Sequence, residues 1–148
     1  MAPTDPPPPE TTVLAFDFGT RRIGVAVGNT LVRVAQPLVT IDDAARARRF
    51  AAIAALVDEW KPGMLVVGVP VHADGTPHEM TARARRFARQ LHGRHGLPVV
   101  EADERGTTQE AQSALDAAGH GGRRGRLVRD AIAAQAILQG YFDEPGQR

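Results

Sequence analysis

At 148 residues, with 43% hydrophobic residues and no cysteine, the chain has the size and apolar content of one globular domain and is neither a disordered chain nor a disulfide scaffold. No stretch approaches the roughly 20 apolar residues of a membrane-spanning helix, and the N-terminus lacks a basic start with an apolar segment behind it, so a cytoplasmic protein is expected. The formal net charge of +1 conceals clusters of arginine (Arg46, Arg48, Arg49; Arg83, Arg85, Arg86, Arg89, Arg94; Arg123, Arg124, Arg126, Arg129) that suit a polyanion as well as they suit solvated helix faces, and any catalysis must rest on carboxylates, histidines, hydroxyls or a metal they hold.

The opening "MAPTDPPPPE" has nothing to bury, so residues 1–11 are expected to form a disordered proline-rich tail, with one domain over 12–143 and a short tail over 144–148. Residues 13–18 and 23–28 are β-rich runs joined by "GTRR", the pattern of a hairpin with Gly19 at its turn, and "VRVAQPLVTI" continues an antiparallel meander. The period then changes. Thr40 and Asp43 have capping-box spacing, and Phe50, Ile53, Ala54, Val57 and Trp60 share one helical face, predicting a helix over about 42–60 that "KPG" ends. "MLVVGVP" is the continuous apolar run of a parallel strand covered on both faces. A helix over about 78–95 carries Met80, Ala84, Phe87, Ala88 and Leu91, and "LPVVEADE" is a second parallel strand. Thr107 and Glu110 cap a helix reaching Gly119. The segment "GHGGRRGR" reads as a mobile loop that grips phosphates, and residues 127–142 form a last amphipathic helix. The order predicts an α/β fold of RNase H-like outline: a mixed five-stranded sheet, three antiparallel strands then two parallel, flanked by helices.

The acids are the unusual feature of this outline. In the first strand Val13, Ala15 and Asp17 share one face and Leu14, Phe16 and Phe18 the other, so Asp17 sits among apolar neighbours, where an unpaired carboxylate costs several kcal/mol. It requires a cation, turn amides, or Arg21 or Arg22 as partner. "EADER" gathers Glu101, Asp103 and Glu104 at the end of a parallel strand, where open α/β sheets bind ligands. Asp130 opens the last helix, a position the helix dipole favours by about 0.3 to 1 kcal/mol. Acids from three distant segments form an oxygen-rich set that matches Mg2+ or Mn2+, and such ions cleave phosphodiesters by activating water. The histidines at 72, 78, 92, 95 and 120 have no zinc-binding spacing, and no serine lies in a nucleophile-elbow setting. "GVPVHADGTP" is a strand-to-helix turn whose amides face a phosphate only in a weaker reading.

"LAFDFGTRRIGVAVGN", "VVGVPVHADGTP", "ARRFARQLHGRHGLPV", "DERGTT" and "RDAIAAQAILQGYFD", in that order from about Leu14 to Asp143, resemble the YqgF family, whose members are called RuvX-like Holliday junction resolvases or pre-ribosomal-RNA nucleases. The resemblance implies an RNase H-like endonuclease dependent on a divalent metal. Carried over position by position, its catalytic acids are Asp17, Glu104 and Asp130, with Asp103 as rival or helper to Glu104 in holding the metal. Arg105 and Thr107 match supporting positions, and Arg21, Arg22, Arg105, Arg123, Arg124, Arg126 and Arg129 are the candidates for nucleic-acid contacts. Gly106, His72, Ala73 and Arg129 depart from the family's usual residues.

The implied substrate is either a four-way DNA junction, in recombination and repair, or the 5′ end of the small-subunit ribosomal RNA precursor, in ribosome biogenesis; arginine clusters fit backbone-led shape recognition of the junction. Two paired cuts on a junction imply a homodimer, with the exposed side of the 42–60 helix or the Tyr141-Phe142 end as its surface. Two other classes compete. A non-catalytic nucleic-acid or ribosome-associated protein would carry the acids for structure alone. An actin-like phosphotransferase shares the "DFGTRRIGVAV" turn but needs two such domains, which one chain of this size does not supply.

Overall fold

A computed structural model of the chain describes residues 11–71, 74, 76, 79–103 and 122–144, with the backbone alone at Arg123. Five strands form one sheet: β1 (Thr12–Phe18), β2 (Ile23–Asn29), β3 (Gln36–Ile41), β4 (Met64–Val69) and β5 (Val99–Asp103), in the order β3-β2-β1-β4-β5. The pairs β1/β2 and β2/β3 are antiparallel, and β1/β4 and β4/β5 are parallel. This is the mixed sheet expected from the change of hydrophobic period along the chain.

Helices α1 (Arg46–Trp60) and α2 (Thr81–His95) cover one face of the sheet, where Leu14, Phe16, Ile23, Val25, Leu65 and Val67 meet Phe50, Ile53, Phe87 and Leu91. Helix α3 (Gly122–Asp143) covers the other, where Val13, Ala15, Ala26 and Val66 meet Ala134, Ile137, Leu138 and Phe142. The doubly covered strand β4 divides its side chains between these two cores, which is why its sequence is apolar at every position but Gly68.

Four expectations are corrected. The third strand begins at Gln36, because the Asn29 side chain accepts hydrogen bonds from the amides of Leu31 (2.8 Å) and Val32 (3.3 Å) and turns the chain, with Arg33 left-handed at φ 61°. Thr40 does not cap α1. It pairs with Gly24 inside β3, and its hydroxyl donates to the carbonyl of Leu127, so the helix starts only at Arg46. Residues 122–126, expected as part of a mobile loop, are the first turn of α3. Gly125 is buried and Leu127 is tied to Thr40, so tertiary docking overrides the poor helix propensity of the glycines. Finally, Phe142 is 2% exposed and packs in the core, with Arg33 over its ring, and cannot anchor a dimer surface. The helix expected over 107–119 lies outside the described residues.

Candidate active site

Asp17 stands on the α3 face of β1, one residue from the strand's end, and its cross-strand partner on β2 is Gly24. That glycine decides the site. A Cβ on Gly24 would overlap the backbone carbonyl of Asp130, so a bare backbone at this point is what lets α3 descend onto the sheet beside Asp17. Asp17 and Asp130, together with the turn residues Phe18 to Arg22, then line one open cavity of about 240 Å3. Asp130 is not in the first turn of its helix, so the dipole argument for it falls. Its partner is Arg22, whose Nε donates to Oδ2 at 2.6 Å, both side chains being about three-quarters buried.

Arg21 and Arg22 also line an adjoining cavity of about 350 Å3 with Arg126 and Asp42. Arg126 is one helical turn before Asp130 on α3, so three of the arginines singled out from the sequence converge beside the two acids. Arg124 and Arg129 are exposed on the same helix. Gly19 needs no left-handed backbone at this turn. A Cβ there would lie 2.6 Å from the Arg22 carbonyl oxygen, so the turn closes too tightly for a side chain.

Strand β5 turns Glu101 away from this site. Val100 and Ala102 pack with the α3 core, whereas Val99 packs on the other core and Glu101 meets Arg85 of α2 at 3.4 Å. Asp103 is the last residue of β5 and pairs in register with Val69 of β4. Glu104, Arg105 and Thr107 lie outside the described residues, as does the Arg123 side chain.

Among the described residues no three metal-ligating side chains come together. The two carboxylates that do share a cavity are hard oxygen donors, and that donor set fits a cation such as Mg2+ or Mn2+, which takes one or two protein carboxylates and completes its shell with water and substrate phosphate.

Two residues escaped the sequence reading. Gly24 did carry a signal, a glycine inside an otherwise β-rich run, which marks a close backbone approach. Arg49 carried none, being one of several arginines at the start of α1. It is 8% exposed, donates from its guanidinium to the Gly19 carbonyl, and lies 5.2 Å from the Phe18 ring, so it fixes the turn that bears Arg21 and Arg22. Burial pushes its guanidinium pKa down from the usual arginine range, a range so high that the group still carries its charge.

The sequence profile of the RuvX family, described as Holliday junction resolvase, matches residues 11–144. A protein of Nitrosospira multiformis, provisionally named a pre-16S rRNA nuclease, is 56% identical over 133 residues, which is 90% of this chain and 88% of that protein. One of Chromobacterium violaceum with the same name is 54% identical over 134 residues, 90% of this chain and 98% of that protein. Among solved structures, Thermus thermophilus RuvC in complex with a Holliday junction substrate superposes with a TM-score of 0.55 at 15% identity, covering 88% of this chain and 92% of that one. This last likeness is one of fold.

Proposed function

The chain belongs to the RuvX family of Holliday junction resolvases and is a nuclease, and from that premise we propose that it is a metal-dependent, structure-selective endonuclease that cuts branched DNA at a site built on Asp17 and Asp130. The observation that carries the reading is the shared cavity: two acids far apart in sequence open on one space whose remaining wall is the Arg21–Arg22 turn.

Glu104 is proposed as the third acid. Its support is its place in the "DER" motif that the chain shares with the family, with Asp103 as rival or helper. Asp17, Glu104 and Asp130 would hold Mg2+ or Mn2+. A divalent ion bound there supplies an activated water and neutralises charge at the scissile phosphate. The chain's own part is to position. Arg21, Arg22 and Arg126 orient the phosphodiester in the adjoining cavity, with Arg22 exchanging Asp130 for a phosphate oxygen, and Arg105, Arg123, Arg124 and Arg129 contact the backbone further along. Two near-symmetric cuts at a junction call for a two-fold pair, with the exposed side of α1 as the proposed contact. No helix among the described residues is long and apolar enough to cross a membrane, and we place the protein in the cytoplasm.

A second reading is cleavage at the 5′ end of the 16S rRNA precursor, favoured by the names of the relatives above 50% identity. One experiment separates the two: a mobile four-way junction and a 5′-extended rRNA precursor are offered to the same preparation in Mn2+. Paired cuts in the junction are expected. Trimming of the RNA alone would move the substrate, and no cleavage of either would remove the nuclease reading.

A further inference from the structure

Phe18 follows Asp17 in β1, so strand alternation sends its side chain to the opposite face of the sheet. There, between α1 and α2, lies a cavity of about 380 Å3 that plays no part in the site described above. Its floor is a phenylalanine cluster in which the Phe18 and Phe87 ring centroids are 4.8 Å apart and those of Phe50 and Phe87 are 6.0 Å apart. Its rim is arginine: Arg46, Arg83 and Arg86, with Arg49 set deeper. No acid lines it, and among the described residues none of these four guanidiniums has a carboxylate within 4 Å.

Arg49 is the feature that demands a ligand. More than nine-tenths buried, with its Nε lacking any hydrogen-bond partner, it is held by one backbone carbonyl and one aromatic ring. The acid whose field it feels, Asp43, is itself engaged by Arg48 at 2.6 Å. A guanidinium so far from water normally faces a carboxylate or phosphate. Four cations around an apolar floor therefore ask for a ligand with an anionic end and a flat apolar body. Guanidiniums already stack on these rings, Arg46 over Phe50 and Arg49 over Phe18, an arrangement that a nucleobase extends.

We propose that the cavity between α1 and α2 seats one unstacked nucleotide of the substrate strand, its base over the phenylalanine floor and its phosphate on the Arg46, Arg83 and Arg86 rim. The proposal rests on the nuclease reading. The two cavities meet at the Gly19 turn: Gly19 lines the Asp17 cavity, and Arg49, which lines this one, donates to the Gly19 carbonyl. The nucleotide must be unpaired, because a base reaches an aromatic floor only by leaving its stack.

The test uses the full chain in chelator, where binding is read apart from cleavage, with a short 5′-phosphorylated oligothymidylate as probe. Its titration should move the NMR resonances of Ile23 and Phe50, which line the cavity, and a duplex of equal length should move them far less. Arg83→Ala and Arg86→Ala, both at exposed positions of α2, should each weaken binding about tenfold, the scale of one charged hydrogen bond, and flatten the salt dependence by about 0.7 per lost contact. Arg89→Ala, the same charge loss on the same helix outside this cavity, should change affinity less than about twofold. Equal loss in all three variants, unmoved Ile23 and Phe50 resonances, or equal movement with inorganic phosphate alone would each overturn the nucleotide site. Cleavage in Mn2+ is scored separately, so a protein that seats the strand but never cuts defeats the nuclease reading and not this one.

Discussion

The two faces of the β1–β2 ribbon are built to opposite rules. Towards α3 they present Val13, Ala15 and Asp17 on one strand and Gly24, Ala26 and Gly28 on the other; towards α1 and α2 they present Leu14, Phe16 and Phe18, and Ile23, Val25 and Val27. Small residues let a helix backbone come down onto the sheet, close enough that the Asp130 carbonyl rests on Gly24 and the Phe142 ring fills the space over Gly28. Large residues hold the opposite helices away and leave a cavity rimmed by arginine. Close approach thus places a carboxylate next to a strand, and distant approach leaves room for something to enter.

The largest effect that breaks this contrast is chemical. Asp17→Asn should lower cleavage on the order of a thousandfold, measured at saturating Mn2+, with the fold and substrate binding retained, since asparagine keeps the shape of the side chain and removes only its charge. A variant that cuts at the wild-type rate would remove Asp17 from the site. Next comes the spacing itself. Gly24→Ala puts a methyl group into the Asp130 backbone and should cost about 3 kcal/mol or more in denaturant unfolding, with activity lost as α3 is displaced. Gly140→Ala, on the same helix with nothing near its Cβ, should do the reverse and stabilise by about 0.5 to 1 kcal/mol, so the pair isolates contact from backbone freedom.

A smaller effect sharpens the role of the turn. Arg22→Ala should raise KM about tenfold through the lost phosphate contact while leaving Mn2+ affinity, by titration calorimetry, equal or tighter, because Asp130 no longer shares its oxygen with a guanidinium. Weaker Mn2+ binding would instead make Arg22 the group that orients Asp130. The smallest expected effect is on the α2 side. Burial, then the nearby Arg94, lower the pKa of His95, whose Nε2 is buried without a hydrogen-bond partner. A histidine that resists protonation when folded takes up protons more readily when unfolded. Stability should be full above the unfolded histidine pKa of about 6.5 and decline as pH falls through that value towards the lower folded pKa. Melting curves across that window should lose this slope in His95→Gln.

Much of this could be read directly from the chain. Alternation in "VLAFDF" assigned Asp17 and Phe18 to opposite faces, the apolar "MLVVGV" announced a doubly covered strand, and the shift from period two to period 3.6 gave the mixed sheet, because each of these is a local geometric consequence of where apolar side chains repeat. The helical state of residues 122–126 was not legible, since their glycines argue for a loop and only docking against β3 outweighs that preference. Nor was the pairing of Asp130 with Arg22 or the burial of Arg49. By itself, then, the sequence determined which residues share a strand face or a helix face and which acids are candidates. Only the tertiary structure decided which of those faces meet, because contact between distant segments depends on how closely a helix can approach a sheet, and here that distance is set by one missing side chain at Gly24.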